Sequence, residues 1–223
     1  MRDLCDQDLF LLHVGCGIFL CGLLVLMAGC AGGIYRSETR LDCHGLPARM
    51  ELASVPFHPQ REYQCGPAAL ASALEFSGCK VSPKKISSEI YTPSLEGSLQ
   101  PLLLSAVRSR SRLPYIIDTF EALIREIAAG HPVVVLQNLS LGFYPIWHYA
   151  VVIGYDLDRK IIILRSGEDS RMERGWRTVE KTWGRAENWG FVVLRLDELP
   201  ASADEPSYMG EKPFLTVVDA FSP

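Results

Sequence analysis

The sequence has no excess of positive charge: 22 lysines and arginines stand against 26 aspartates and glutamates, a formal net charge of −4 over 223 residues. That balance excludes the basic footprint on which nucleic-acid binding depends, and no acidic block marks a solvating tail. Histidine is scarce, five in the whole chain, and no Cys or His pair has the short spacing of a metal site. No Gly-Lys-Ser/Thr phosphate loop occurs, so nothing reads as an ATPase. Internal repeats and low-complexity stretches are missing as well. No metal or cofactor is expected. What is present is a chain 48% hydrophobic, enough for one compact domain with its own core and too little for two large ones.

The apolar residues are unevenly spread. Leu9 to Gly29 is almost wholly apolar, broken only by His13 and small residues, and it lacks the polar face of a helix packed in a globular fold. It closes on Leu26-Met27-Ala28-Gly29-Cys30. A hydrophobic run ended by small residues reads as a secretory signal. Small residues directly before a cysteine resemble the bacterial lipobox, which would make Cys30 the lipidated first residue of the mature protein. The run is also long enough for an uncleaved membrane helix, while Asp3, Asp6 and Asp8 around Arg2 suit positive-inside insertion poorly. Either a lipoprotein signal over residues 1–29 or an anchor there places the remainder on the periplasmic side of a bacterial membrane, the outer membrane being the expected one. Beyond Cys30, Cys43, Cys65 and Cys79 remain. An odd number in an oxidising compartment leaves a free thiol or an intermolecular pair, and a Cys43–Cys79 bridge with Cys65 free is one arrangement that fits.

Residues 30–53 show Gly, Ser, Arg and Pro without periodicity and read as a linker. The domain is expected over 54–196. Helices are predicted at 66–77, where Pro67 suits a first turn and Gly78 a stop, and then at 83–90, 99–110 and 120–129. Strands are predicted at 133–136, 147–155, 160–165 and 191–196, with 156–159 as a hairpin turn. Helices first and antiparallel strands afterwards make an α+β domain. The tail 197–223, rich in Pro, Ala, Ser and charge, has no assignment.

Cys65 stands directly before the clearest helix. There the positive end of the helix dipole and unpaired N–H groups favour the thiolate, the reactive species, and its own N–H is free for an oxyanion. A thiol nucleophile needs a base that takes a proton and later returns it to the leaving amine. Outside the leader the histidines are His44, His58, His131 and His148. Only His148 opens a long β-run that would hold its ring on a rigid scaffold. Gln60, five positions before Cys65, offers a side-chain amide for the oxyanion, with Gln64 as a rival too close to reach the same hole. Reflecting the hairpin about its turn brings residues 166–169 near His148, so Ser166, Glu168 and Asp169 compete to orient the imidazole. Ser166 matches the position best, and the two acids are the chemically stronger orienters.

The order Gln, Cys at a helix start, then His on a distant strand is that of papain-like enzymes. The stretch from Val55 to Ala71, with Cys65-Gly66-Pro67-Ala68-Ala69, followed by His148-Tyr149-Ala150-Val151-Val152-Ile153-Gly154, resembles the bacteriocin-processing cysteine peptidases, and more closely their stand-alone lipoprotein branch. The resemblance implies a papain-like fold, hydrolysis of peptide bonds through Cys65, His148 and Gln60, and peptide substrates of the double-glycine leader type. Two departures stand out. Family members usually carry the Gln six positions before the cysteine, and an Asp where this chain offers Ser166. A catalytically weak peptide-binding lipoprotein and a cell-wall peptide amidase are the alternatives.

Overall fold

The computed structural model describes residues 45–59 and 64–203. After Arg49–Glu51 (β1) come three helices, Cys65–Phe76 (α1), Pro83–Ile90 (α2) and Gln100–Arg108 (α3), with a small hairpin of Tyr91–Thr92 (β2) and Gly97–Ser98 (β3) between the last two. Leu113–Ile117 (β4) and helix Phe120–Ala128 (α4) lead into Val133–Asn138 (β5), Trp147–Asp156 (β6), Ile161–Ser166 (β7) and Asp169–Gly175 (β8). Helix Trp176–Gly184 (α5) and strand Gly190–Leu194 (β9) complete the described elements. This is the predicted α+β architecture.

Helix α1 is the central one, buried without a break from Gly66 to Leu74. Small Ala side chains let it lie against the sheet on several sides at once. Its end follows from Gly78: at φ +87° the chain reverses so that Gly78 N–H donates to Glu75 O (3.0 Å) and Cys79 N–H to Leu74 O (2.9 Å), satisfying the last carbonyls. Helix α2 is capped by the Ser82 hydroxyl, 3.3 Å from Lys85 N–H, and α4 by Thr119, 3.1 Å from Ala122 N–H. Both leave orphan donors of the first turn partnered.

The sheet runs β4-β9-β5-β6-β7-β8, every neighbour antiparallel. Strand β6 is its spine. One edge pairs first with β5 over 147–152 and then with β1 over 154–156, and the other edge pairs with β7. A Cβ at Gly154 would lie 2.6 Å from Met50 O, so β1 joins β6 only because residue 154 has no side chain. The core gathers Trp183, Phe191, Leu70, Leu74 and Ile153, all below 2% exposed, into a single cluster between α1, the other helices and the sheet.

Strands β1, β2, β3, β4 and β8 and helix α5 were not expected. Strand β1 places the start of the fold inside the predicted linker. Strand β4 contains Pro114, tolerable because β4 is a sheet edge where a missing N–H breaks no ladder. Strand β8, Asp-Ser-Arg-Met-Glu-Arg-Gly, has no apolar alternation. It is the opposite edge, tied by the pairs Arg159–Glu173 (2.9 Å) and Arg171–Glu51 (2.8 Å). Beyond the predicted end at 196, the chain remains attached through Ser202, whose N–H and hydroxyl both donate to Glu126 Oε1 (2.8 and 2.6 Å). Among the described residues no helix is long and apolar enough to cross a membrane. The leader, Cys30, Cys43 and the tail from 204 lie outside them.

Candidate active site

Cys65 is the first residue of α1, with Gln64 as cap residue. In an α-helix the first N–H groups have no intrahelical partner. Here Ala68 N–H already returns to Gln64 O (3.0 Å) and Pro67 has no N–H, so the free donors are those of Cys65 and Gly66. Both reach the Cys65 sulfur, joined by the N–H of Tyr149 from β6. Three backbone donors therefore converge on Sγ from two elements.

The expectation that this position makes a resting thiolate is corrected by burial. The N–H groups pull the thiol pKa down, but loss of solvent pushes it up by more, and the balance lies above the ordinary value of 9.0. Desolvation penalises the charged form of either group. It acts on His148 in the opposite sense and holds the imidazole below its ordinary 6.5. Both shifts favour the neutral forms, thiol and free-base imidazole.

His148 sits at the start of β6, opposite Gln137 of β5. Its Nε2 is 2.8 Å from the Ser166 hydroxyl, which leaves Nδ1 as the remaining ring nitrogen. Ser166 ends β7 and is 7% exposed. Of the three residues in the predicted window it is the one at the imidazole. Glu168 and Asp169 are exposed, and Asp169 instead accepts Arg171 N–H at 2.9 Å within its own turn. Gln60 lies outside the described residues. Gln64 is exposed and makes no capping bond.

Cys65 and His148 line one cavity of about 770 Å³. Its walls include Leu95, Ser98 and Leu99 from the β2–β3 hairpin region, and Arg185 and Glu187 after α5. A Cβ at Gly66 would stand 2.9 Å from both Cβ and Oγ of Ser98, so glycine beside Cys65 lets the hairpin close in. The Tyr149 hydroxyl fixes that wall by donating to Ser98 O (3.1 Å). Sequence reasoning missed Ser98 and Tyr149 in these roles. Two-residue strands carry no periodicity by which to find them.

The other described histidines are occupied elsewhere. His58 Nε2 lies 3.0 Å from Glu75 Oε2, and His131 Nδ1 lies 2.6 Å from Glu126 Oε2. Cys79 is a free thiol. Among the described residues no cluster of His, Cys, Asp and Glu could hold a metal ion.

A family profile described as the Peptidase_C39 like family matches residues 52–190. Among solved structures, a putative C39-like peptidase from Bacillus anthracis is 18% identical with a TM-score of 0.56, covering 67% of this chain and 99% of its own. The cysteine protease xylellain from Xylella fastidiosa is 13% identical with a TM-score of 0.52, covering 70% of this chain and 88% of its own. The peptidase domain of Streptococcus ComA, a bifunctional ABC transporter of a quorum-sensing pathway, is 18% identical with a TM-score of 0.51, covering 63% and 98%. No curated protein sequence matches. At these identities the structural likeness bears on the fold.

Proposed function

The chain belongs to the Peptidase_C39 like family and is a cysteine peptidase, and from that premise we propose that Cys65 is its nucleophile, His148 its general base and Ser166 the group that orients His148. The supporting observation is the meeting of the α1 N-terminus, the start of β6 and the end of β7 in one cavity, with Ser166 2.8 Å from the imidazole.

With both partners neutral at rest, proton transfer accompanies attack. The thiol proton passes to the free ring nitrogen of His148 as Sγ bonds to the substrate carbonyl carbon. The carbonyl oxygen becomes an oxyanion beside the N–H of Cys65 and the Gln60 amide. As that intermediate collapses, His148 returns the proton to the leaving amine and a thioester remains. Water, deprotonated by His148, then hydrolyses the thioester and frees the carboxylate and the thiol.

The substrate is a peptide or protein, and the wall that Ser98 forms against Gly66 favours small residues at the bond cut, as in a double-glycine leader. The apolar run 9–29, with Cys30 as lipid site, tethers the domain to a bacterial membrane on its periplasmic face. The test is incubation of the full chain with a synthetic leader peptide ending in Gly-Gly followed by a short cargo, read by mass spectrometry. Cleavage after the glycines by the native chain and none by Cys65→Ala is expected. Cleavage that survives in Cys65→Ala removes the mechanism. One observation favours a second reading: Ser166 is a neutral partner for the imidazole, weaker than a carboxylate. Tight peptide binding without turnover by the native chain would assign it to a peptide-binding lipoprotein.

A further inference from the structure

The loop between β5 and β6 has an unusual surface. Leu139, Leu141, Phe143, Tyr144, Ile146 and Trp147 are exposed to between 49% and 85%, Phe143 the most. Single exposed apolar residues are ordinary, but a contiguous set marks an interaction site. The loop is also firmly built. Asn138, only 1% exposed, accepts the N–H groups of Ser140 (3.0 Å) and Ile146 (3.1 Å) on its side chain. Leu139 N–H donates to Ile146 O (2.9 Å), and at the tip Tyr144 N–H donates to Leu141 O (3.1 Å). These backbone polar groups are satisfied within the loop, the condition for entering an apolar medium. From Ile127 to Tyr155 the sequence holds no Asp, Glu, Lys or Arg.

Leu95 and Leu99, 57% and 48% exposed, line the same cavity as Trp147, so the apolar surface continues across the mouth of the Cys65 cleft. Two features point to lipid as the occupant. The most exposed side chains, Phe143 at 85% and Tyr144 at 70%, sit at the tip of the loop, where Tyr144 N–H closes on Leu141 O. Phe, Tyr and Trp together are the residues that favour the bilayer interface. The proposed tether supplies the surface: only eighteen residues lie between Cys30 and Arg49, a reach of at most about 65 Å.

We infer that the 139–147 loop is a docking wedge that enters the interfacial region of the bilayer to which the chain is tethered, turning the mouth of the Cys65 cleft toward the lipid surface. The inference rests on the proposed tether. It gives the peptidase access to substrates that lie on or emerge from that membrane.

All four tryptophans, Trp147, Trp176, Trp183 and Trp189, lie beyond the leader, so tryptophan emission reports the domain and not the apolar run. The full chain is reconstituted in phosphatidylcholine–phosphatidylglycerol vesicles with and without lipid brominated near the headgroup end of the acyl chains, which quenches tryptophan at that depth. The expected result is co-sedimentation of all forms, quenching of the native chain, and loss of most of that quenching in Trp147→Phe. Phe143→Ser, altered at a site 85% exposed, is expected to reduce the docked population about tenfold while still co-sedimenting. Co-sedimentation with no quenching of the native chain overturns the wedge and leaves the tether standing. Failure to co-sediment overturns the tether and the docking with it. Emission from Trp147 that responds to the synthetic Gly-Gly leader peptide, and not to brominated lipid, overturns the inference by assigning the loop to peptide.

Discussion

Replacing Ser166 by Ala removes one hydroxyl from a buried position and leaves Nε2 of His148 without the partner now 2.8 Å away. Two things are lost. The ring can turn, and the Nε2 proton loses the hydroxyl that accepts it. A single neutral hydrogen bond contributes about 1 kcal/mol net, so kcat is expected to fall about five- to tenfold. KM is expected to be unchanged, because the hydroxyl touches the ring and not the substrate. Ser166→Asp is the informative companion. A carboxylate there makes a charge-assisted bond, about twice as strong as the neutral one, and favours the imidazolium, raising the His148 pKa. In the native protein burial holds that pKa below 6.5. Protonated His148 cannot accept the thiol proton, so the acid limb of kcat/KM lies below pH 6.5 and shifts upward in Ser166→Asp. The assay is turnover of the Gly-Gly peptide between pH 5 and 9, with thermal unfolding alongside. A midpoint within about 4 °C of native is expected for Ser166→Ala, the shift that one hydrogen bond makes in a domain of this size. If Ser166→Ala keeps kcat within about twofold, less than that bond is worth, and neither variant moves the acid limb, Ser166 does not orient the base.

Three further outcomes follow from the same geometry. Because burial places the Cys65 thiol above 9.0, its alkylation by iodoacetamide, followed by peptide mapping apart from Cys79, is expected to keep rising past pH 9, and an acid plateau between pH 5 and 8 would show a resting ion pair instead. Glu126 has 0% exposure and a pKa held below 4.5, with burial opposing and the bonds from His131 and Ser202 prevailing. Its contribution to stability is therefore complete above about pH 4.5 and lost as pH falls through the lowered value, and Glu126→Ala should both flatten that acid limb and cost about 3 kcal/mol in denaturant unfolding. Gly154→Ala drives a Cβ to 2.6 Å from Met50 O, and a destabilisation of about 2 kcal/mol is expected; a variant as stable as native would mean that β1 shifts away freely.

The placement of Cys65 at a helix start was legible because its signal is local. Cys65-Gly66-Pro67 opens a helix whose Ala-rich body and Gly78 stop are written in consecutive residues, and the free N–H groups follow from helix geometry alone. The charge state was not legible, since it depends on how much solvent the β2–β3 hairpin and β6 exclude, and those packings come from residues far apart in the chain. Strands β4 and β8 escaped for a related reason. At sheet edges, pairing on one side suffices, so Pro114 and a run of charged residues cost little there.

The identity of the residue facing His148 shows where a one-dimensional argument stops. Val151 pairs with Arg165, and continuing that register sets residue 168 directly opposite His148, which would favour Glu168. But the ladder does not continue. At Gly167, φ +62°, the chain turns back, so that Ser166 pairs with Asp169 at the start of β8. That turn carries Glu168 out to solvent and leaves Ser166 as the last inward residue of β7, the diagonal neighbour of His148 on the same face. A diagonal pair in a sheet lies about 7–8 Å apart at the backbone, a gap that an imidazole ring bridges and a shorter side chain would not. The choice of a neutral partner over a carboxylate thus follows from a strand, β8, whose own sequence carries no strand pattern. An unseen edge decides the electrostatics of the base.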